Sequence, residues 1–498
     1  MENRKTKIVS VIAIVAFALT IITATYAYFN AQVGDAAAAD IKVNANTVDT
    51  FTFATGSQIS FNINQENFAS GTGNQSGSTF ASALLTANNK TNTATEHYYL
   101  YLNIENNSFT YSIDNSTPEI IMTIKDSSGT EVTNISTLNH VIVTGANGTQ
   151  VSGYDITSKS GVITLFNNRE ITTTSSKEEK WNITITFVNY DQNQKANAGK
   201  SMSAKLMIQS TKIPETIADV CSSGDNLATC LATLGSKSAS SLSKIYYHDS
   251  NLENGAGDNS YRYAGASSEV NNYLYFSGVT DRFQWGYYRI IGVFNGQVKL
   301  ITQNFLPDSP SWDNNSSNTW SAATSNALLN GSGFLTYLGD TANKIAKTTW
   351  KVGGNTWDNI GMKKASIAYQ NEINSPTPGS NSSTGETEYQ AKIGLMYVSD
   401  YGFAANPVAW KYVLNGYGMT ASNGIAVNKQ NWLFNDNYEW TITRVSDVAR
   451  SVFQIHNTGL IRSAPVINAG LMRPTFYLNG DVTYVSGTGT SSDPILVN

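Results

Sequence analysis

The sequence predicts a mainly β protein that consists of an N-terminal apolar helix, an antiparallel β-sandwich domain resembling a jelly roll, and an α+β domain with antiparallel hairpins. Three observations support this prediction. The chain opens with an apolar segment, apolar and polar residues then alternate with period two to about residue 212, and short helices and hairpins follow Pro214. The predicted parts are therefore residues 1–30, 41–212 and 216–498.

The apolar segment follows three basic residues within positions 4–7 and runs from Ile8 to about Phe29. A secretory signal has an apolar core of roughly 7 to 15 residues, whereas a membrane-spanning helix needs about 20. This segment lies between the two, so cleavage after Ala27 and an uncleaved membrane anchor both stay open. The positive-inside rule sends the remaining chain out of the cytoplasm in either case. We expect an extracytoplasmic protein, either secreted or held at the cell surface by its helix.

The composition agrees with export and argues against nucleic acid as a partner. Only 14% of the residues are charged, where a soluble domain averages about 25%. The net charge is −5, and there is no basic stripe beyond the first residues. Binding to nucleic acid depends on such a stripe to displace counterions.

The first domain shows the alternation of half-buried strands. In "WNITITFV" the residues Trp181, Ile183, Ile185 and Phe187 fall on one face. A polar loop and a second alternating run at 202–208 follow, which predicts a hairpin. Further strand candidates are the segments 51–63, 98–104, 108–113, 119–135 and 161–166. Many short strands with frequent turn residues predict an antiparallel sandwich or jelly roll.

The second domain begins after Pro214, which cannot continue a strand ladder. A helix is predicted over "DNLATCLATLG", with Asp225 as its cap and Gly235 as its end. Two hairpins are predicted at Asn295-Gly296 and Asn479-Gly480, because both positions of a type I′ turn need positive φ.

The two cysteines, Cys221 and Cys230, are separated by a turn-rich segment in "CSSGDNLATC". In an oxidising compartment this spacing favours a local disulfide, and two free buried thiols are the alternative. A zinc site would need two further ligands, and the nearest histidine, His248, stands alone.

The leader "ITATYAYFN" and the Ser/Thr/Asn-rich strand domain behind it resemble the exported camelysin and biofilm-matrix fibre family of Gram-positive bacteria. The resemblance implies a jelly-roll-like sandwich outside the cell, in which the segment after cleavage can supply a strand to a neighbouring subunit. Camelysin has been called a metalloprotease. This chain has no His-Glu-x-x-His pair, and the first domain holds only His97 and His140, so that activity is not carried over.

Residues 216–498, with motifs such as "YYRIIGVFNGQVKLI" and "YEWTITR", resemble a module that recurs in Gram-positive surface proteins and brings no known activity with it. A Trp-rich strand with Arg444 and the later Arg473-Pro474 resemble the end of the C-type-lectin-like and formylglycine-generating fold. The active-site cysteines of that enzyme have no counterpart here. The resemblance implies only a C-type-lectin-like fold for this domain.

The sequence offers no catalytic motif, and we predict neither a cofactor nor a metal. A glycosidase needs only two carboxylates, so Asp400, Glu439 and Asp447 stay open for that reaction. The stretch around Asp249, "DSNLENGAGDNS", is rich in oxygen ligands but departs from an EF-hand, so an Asx turn competes with a calcium site there.

The second domain is rich in tryptophan, whose rings can stack on sugars or line a peptide groove. Most of these rings should be core, with one or two exposed. The candidate ligand-binding residues are Trp432, Trp440 and Arg444. The leading hypothesis is a non-enzymatic surface protein that presents a binding module to a glycan, a matrix or a protein. The alternatives are a self-assembling fibre subunit that donates residues 28–55, and a secreted carbohydrate-active enzyme.

Overall fold

The computed structural model describes residues 49–64, 73–88, 91–276, 287–307, 311–331, 333–380 and 385–498. The predicted leader helix at 1–30 and the candidate cleavage site after Ala27 lie outside the described residues. None of the helices within these ranges combines the length and the apolar character needed to span a membrane. The described chain is mainly β with antiparallel sheets, as predicted.

The described residues of the first domain form ten strands in two sheets. They are β1 Thr50–Thr55, β2 Ile59–Ile63, β3 Gln75–Thr86, β4 Ala94–Asn107, β5 Ile120–Lys125, β6 His140–Thr144, β7 Gln150–Asp155, β8 Gly161–Thr173, β9 Ser176–Phe187 and β10 Lys200–Gln209. One sheet has the order β1-β3-β9-β5-β7-β6, and the other has the order β2-β10-β4-β8. All pairs in both sheets are antiparallel.

The two sheets face each other across one shared apolar core, which makes this domain a β-sandwich. Alternate side chains of β9, among them Ile183 and Ile185, meet side chains of β4 and β10 such as Leu102 and Met202. The buried ring nitrogen of Trp181 donates a hydrogen bond to the Tyr98 hydroxyl at 2.7 Å. The period of two therefore has the predicted cause in strands such as β10, because alternate side chains are buried against the other sheet.

The predicted hairpin between the strands now labelled β9 and β10 is wrong. These strands belong to different sheets, because β9 pairs with β3 and β5 while β10 pairs with β2 and β4. Their connection is long enough to cross the sandwich, and alternation alone does not say which sheet a strand joins. For the same reason the candidate at 51–63 splits into β1 and β2, which lie in opposite sheets. The candidate at 108–113 is also wrong, because these residues form no strand.

The second domain combines fourteen strands with short helices in the described ranges. The strands are β11 Ile245–His248, β12 Ser260–Tyr263, β13 Tyr273–Phe276, β14 Tyr288–Phe294, β15 Gln297–Thr302, β16 Thr348–Lys351, β17 Glu388–Ala391, β18 Ile393–Gly394, β19 Glu439–Arg444, β20 Ser451–Ile455, β21 Ile461–Pro465, β22 Thr475–Tyr477, β23 Tyr484–Ser486 and β24 Ile495–Val497. The α-helices are α1 Leu227–Lys237, α2 Ser240–Ser243, α3 Thr324–Asn330, α4 Phe334–Tyr337, α5 Trp357–Ile360, α6 Ala365–Tyr369 and α7 Val398–Ala404. Short 3-10 helices lie at Ile217–Asp219, Trp320–Ala322, Gly339–Lys344, Pro407–Ala409, Leu414–Gly416 and Val427–Gln430, and a π-helical turn lies at Gln370–Asn374.

A nine-stranded sheet forms the centre of this domain, with the path β18-β22-β15-β14-β13-β24-β23 and with β11 and β12 attached through β14. The predicted hairpin at Asn295-Gly296 is confirmed, since β14 pairs with β15 and the two turn residues have φ of 48° and 77°. The hairpin at Asn479-Gly480 is wrong. There β22 pairs with β15 and β18, β23 pairs with β24, and the Asn479 backbone N–H donates to Lys344 instead.

The predicted helix over 225–235 exists as α1, with two differences at its ends. The cap is Asn226, whose side chain accepts a hydrogen bond from the Thr229 backbone N–H, and the helix continues through Gly235 to Lys237. A Cβ at Gly235 would lie 2.5 Å from the Tyr261 ring. Gly235 therefore allows close packing of the helix on a strand rather than ending the helix.

The segment that joins the domains is tied to the sandwich by hydrogen bonds. The Tyr101 hydroxyl accepts from the Ile213 backbone N–H at 2.9 Å, and the Thr164 hydroxyl donates to Glu215 at 2.7 Å. The Val162 backbone N–H in β8 donates to the Ser241 hydroxyl in α2 at 2.8 Å. The start of the second domain thus packs on the face of β4 and β8.

Candidate functional site

The two cysteines form a disulfide at the start of the second domain. Cys221 lies in the turn before α1 and Cys230 lies within α1, with 5.6 Å between their Cα atoms, so the predicted local pairing is geometrically satisfied. Cys221, Asp225 and Cys230 also place three metal-ligating side chains within 4.8 Å of one another. Because the two sulfurs are bonded to each other, they offer no thiolates to zinc.

Replacing both cysteines by serine is expected to lower the free energy of unfolding of the second domain by roughly 2 kcal/mol, because a short closed loop constrains the unfolded chain. Urea unfolding followed by tryptophan fluorescence would measure the change. Reducing the wild-type protein should produce the same shift. Equal midpoints for the oxidised wild type and the double variant would show that the bond does not stabilise the domain.

The oxygen-rich stretch around Asp249 forms the Asx turn that competed with calcium in the sequence analysis. The Asp249 carboxylate accepts hydrogen bonds from the backbone N–H groups of Asn251 and Leu252, both at 3.0 Å. Asp258, the other aspartate of the stretch, pairs with the Arg262 guanidinium at 2.5 Å. Internal partners therefore occupy both carboxylates.

The three candidate ligand-binding residues all lie in the interior. Trp432 is 3% exposed, Trp440 is fully buried and Arg444 is 1% exposed. The Trp432 ring nitrogen donates to the Tyr263 carbonyl at 2.9 Å. These side chains present no face to solvent, so the structure corrects their assignment from ligand binding to support of the fold. The expectation of one or two exposed rings also fails for the described tryptophans of this domain, because Trp357 is half-buried and the rest are buried.

Arg444 braces a loop through backbone contacts. Its Nε donates to the Gly353 carbonyl at 2.7 Å, and one Nη donates to the Glu386 carbonyl. The neighbouring Gly354 has φ of +69°, and a Cβ there would lie 2.0 Å from the Arg444 carbonyl oxygen. The backbone can approach Arg444 this closely only because residue 354 is glycine.

Gly354→Ala is therefore expected to destabilise the second domain by roughly 2 kcal/mol more than Gly424→Ala. Gly424 has a similar φ of +80°, but nothing lies within 4 Å of its Cβ position. The control isolates the cost of a left-handed backbone, about 1–2 kcal/mol, from the cost of the clash. Denaturant midpoints would show both effects, and equal losses for the two variants would contradict the clash.

The second domain buries an amine and a carboxylate in direct contact. Lys299 is in the middle of β15, and Asp400 lies in the first turn of α7. Their side chains are 0% and 2% exposed, and Nζ lies 2.5 Å from Oδ2. The Tyr397 backbone N–H also donates to Oδ2 at 2.8 Å, which fixes the carboxylate at the helix start. Burial of both charges is costly, and mutual pairing offsets part of that cost.

Aromatic rings surround the Lys299 amine. Nζ lies 4.3 Å from the ring centre of Tyr397, 5.4 Å from that of Tyr477 and 5.5 Å from that of Trp350. Burial lowers the pKa of Lys299, and the Asp400 charge opposes this shift. The amine is therefore held in a water-excluding cage with one anionic partner.

A third buried acid, Glu372, lies beside this pair. Its carboxylate accepts from the Ser399 backbone N–H at 2.7 Å and from the Thr443 hydroxyl at 2.8 Å. Burial raises the pKa of Glu372 to about 7, and the nearby Asp400 charge adds to the shift. Hydrogen bonds from Ser399 and Thr443 act in the opposite direction but do not cancel it.

A separate buried ion pair joins Glu439 and Arg473. The guanidinium makes a bidentate contact with the carboxylate at 2.8 and 2.9 Å, and it also donates to the Leu433 carbonyl at 2.6 Å. The Asn435 amide donates to the same carboxylate at 2.6 Å. Burial raises the pKa of Glu439 despite the Arg473 charge.

The carboxylates that sequence left open for a glycosidase are not brought together at a cleft. Asp400 and Glu439 are buried in the two separate ion pairs just described, whereas Asp447 is exposed. In the first domain, His97 and His140 pair with different glutamates, Glu170 at 3.6 Å and Glu131 at 2.9 Å. No two of these groups form an acid–base pair around an open space.

A shallow depression lies next to α6 on the described surface of the second domain. Met362, Ile367 and Val413 are each about 40% exposed there, and Lys363 and Lys364 border them. We call this the α6 depression. Because isolated apolar side chains are common on surfaces, its notable property is the combination of three such side chains with two amines.

Sequence reasoning had named Asp400 but missed Lys299 and Glu372. The available signal for Lys299 was a lysine inside "VKLIT", a strand whose other residues are nearly all apolar or β-branched. A charge in such a strand must find a buried partner. Glu372 lies within the π-helical turn Gln370–Asn374, and nothing in the local sequence marks it. No protein-family model matches the chain, and no curated protein matches it either.

Proposed function

We propose that this chain is an exported, non-enzymatic protein of the cell surface, in which the β-sandwich carries the second domain outward as a binding module. The leader sequence points to export, and the composition is that of an uncharged polar surface. The observation that carries the proposal is the Cys221–Cys230 disulfide. Such bonds persist in oxidising compartments and are rare in the cytosol.

The arrangement of charged groups favours binding over catalysis. The buried acids of the second domain, Glu372, Asp400 and Glu439, are each engaged by internal hydrogen bonds or ion pairs. A general acid or base needs reach to a substrate. The α6 depression, in contrast, presents exposed apolar side chains together with two partly exposed lysines.

The α6 depression favours a protein partner over a glycan. Sugar recognition would use exposed aromatic faces, and the described residues that line the depression include no aromatic side chain. Lys363 and Lys364 beside three apolar side chains suit a segment with carboxylates and apolar residues. Such a segment would belong to a matrix protein or to a protein of another cell's surface.

Protease treatment of intact producing cells tests the location. Antibodies against each domain should lose their signal after shaving, while a cytoplasmic marker stays intact. The cysteines of the released material should react with an alkylating reagent only after reduction, which would be seen as a shift on a non-reducing gel. The proposal would be contradicted if the domains stay protected on intact cells. It would also be contradicted if the two cysteines react with the reagent without prior reduction.

Adhesion of beads coated with the exported chain tests the binding role. Charge reversal at Lys363 and Lys364 is expected to reduce attachment to producing cells or their matrix to the level of uncoated beads. Reversal of Lys125 and Lys159, two exposed lysines of the sandwich, makes the same change of net charge and should leave attachment intact. Equal losses for both double variants would contradict a specific contact.

The alternative function is a fibre subunit, and the position of β1 favours it. Within the described chain, β1 is an edge strand that pairs only with β3, and its Phe51 and Phe53 pack near Tyr98. A strand of this kind can be supplied by a neighbouring subunit. Electron microscopy of leader-free protein should then show filaments. A variant that lacks residues 49–55 should form no filaments, which would support strand exchange. Dispersed monomers at all concentrations would exclude it.

A further inference from the structure

Lys299 and Asp400 differ from the other lysine–acid pairs within the described residues. Their side chains are fully or almost fully buried, whereas the pairs Lys205–Glu105, Lys212–Asp219 and Lys351–Glu388 are all partly exposed. Lysine, unlike arginine, can lose its proton when it is buried and then act as a nucleophile. The pair thus places a potential nucleophile against a potential acyl carbon in a closed interior.

We propose that Nζ of Lys299 and the side-chain carbon of Asp400 become joined by an intramolecular amide bond once the second domain has folded. The bond would connect β15 to the first turn of α7 across a sequence separation of 101 residues. The proposal stands independently of where the protein is located and of what it binds.

The Lys299 nitrogen and the Asp400 carboxyl carbon lie near the distance at which the nitrogen could attack. Nζ lies 2.5 Å from Oδ2. Because a C–O bond is about 1.2 Å long, the carboxyl carbon is within about 4 Å of Nζ, close to the roughly 3–3.5 Å of a near-attack arrangement. The backbone of β15 is held by β14 and β22, and Asp400 is fixed by the Tyr397 N–H. Both groups are therefore pre-positioned.

The chemistry balances without a co-reactant. A proton moves from the ammonium to the carboxylate, which gives a neutral amine and a carboxylic acid. The nitrogen lone pair attacks the carboxyl carbon, a C–N bond forms, and the C–OH bond breaks. The departing hydroxyl takes one proton from nitrogen and leaves as water. Nothing is oxidised or reduced, and one water molecule is lost.

The surroundings favour the neutral reactants and the product. Low-polarity burial disfavours charged forms, and burial lowers the pKa of Lys299. The rings of Trp350, Tyr397 and Tyr477 shield the amine from solvent water, which would be needed to reverse the reaction. An amide also removes two buried charges, whereas the ion pair must keep them. Glu372 acts as a positioning residue, because its carboxylate holds the Ser399 N–H immediately before Asp400.

Peptide mapping of the full, folded chain tests the bond. Trypsin cleaves after free lysine but not after lysine whose amine is acylated. With the bond present, residues 290–344 and 393–411 should be recovered as one linked species after reduction, with the summed mass less one water. Tandem mass spectrometry should place the link at Lys299 and Asp400. Recovery of the separate linear peptides 290–299 and 393–411 at full mass would overturn the proposal.

Lys351 and Glu388 provide an internal control. They also contact each other, but their side chains are 32% and 52% exposed. The peptide that ends at Lys351 should therefore appear normally, since contact without burial keeps both groups charged. A link at Lys351 as well would show that proximity alone causes condensation during handling and would count against the proposal. Asp400→Ala should abolish the linked species, and the wild-type map decides the matter even if this variant folds poorly.

Glu372→Ala tests the positioning role, and Glu372→Gln is its control. The amide oxygen of the Gln variant can still accept from Ser399, so this variant should form the bond at the wild-type rate. The Ala variant loses this acceptor, and slower bond formation would be seen as a larger fraction of cleaved Lys299 soon after refolding, with the same final linked product. A time course of the Ala variant equal to that of the wild type would remove Glu372 from the assignment.

Discussion

Glu439→Gln is expected to lower the free energy of unfolding of the second domain by about 3–5 kcal/mol, because it leaves the Arg473 guanidinium as an uncompensated charge in the interior. The two side chains are 1% and 4% exposed, and the guanidinium has no access to water that would replace its partner. Urea unfolding followed by fluorescence would measure the loss, since eight of the nine tryptophans belong to residues 216–498.

Glu388→Gln is the matched control for this variant. It makes the same chemical change in the exposed pair with Lys351, where solvent screens the charges, and should cost less than about 1 kcal/mol. The double change Glu439→Leu with Arg473→Met should recover much of the loss, because it removes both charges. If Glu439→Gln and Glu388→Gln cost the same, the buried pair does not stabilise the fold in the way we describe.

The stability of the second domain is expected to fall by roughly 3 kcal/mol as the pH rises from about 4.5 to 7, owing to Glu372 alone. The pKa of Glu372 is raised from 4.5 to about 7. Between these values the folded state keeps a proton that the unfolded state releases. The stabilisation by Glu372 is therefore fully present below pH 4.5 and is lost as the pH rises through about 7. Above that pH, Glu372 causes no further change in the free energy of unfolding.

Denaturant unfolding at several pH values would measure this slope, and Glu372→Gln supplies the reference. The variant cannot titrate, so the difference between the two pH profiles isolates Glu372 from the other acids. Burial is the main cause of the shift, and it persists whether or not Lys299 and Asp400 are joined. Parallel profiles for wild type and variant between pH 4.5 and 7 would contradict the raised pKa.

Local patterns predicted the strands well and their partners poorly. The alternation of Ile183 and Ile185 reports that one side of β9 is buried, and the structure confirms it. The same alternation carries no information about which sheet a strand joins, so β9 and β10 were paired wrongly. The Asn295-Gly296 turn was predictable because its backbone geometry is local, whereas Asn479-Gly480 is held by the distant Lys344 carbonyl.

The interior of the second domain was harder to predict, because its polar groups meet across long separations. Lys299 and Asp400 are far apart in sequence, as are Glu439 and Arg473. Composition suggested tryptophans for recognition, but large rings give more stabilisation when buried, and this domain is large enough to enclose them. The lysines that we propose as contacts, such as Lys363, leave no comparable pattern, since surface lysines occur throughout ordinary sequences.

The position of β24 in the nine-stranded sheet constrains the order in which this sheet can form during synthesis. This strand lies between β13 and β23, and Leu274 pairs in parallel with Ile495. The ribosome produces β13 long before β24, so the intervening chain must wait with an open strand edge that attracts other chains. That edge closes only when residues 495–497 have paired with β13 and β23, so the last strand of the sheet to be made is the one that completes its interior.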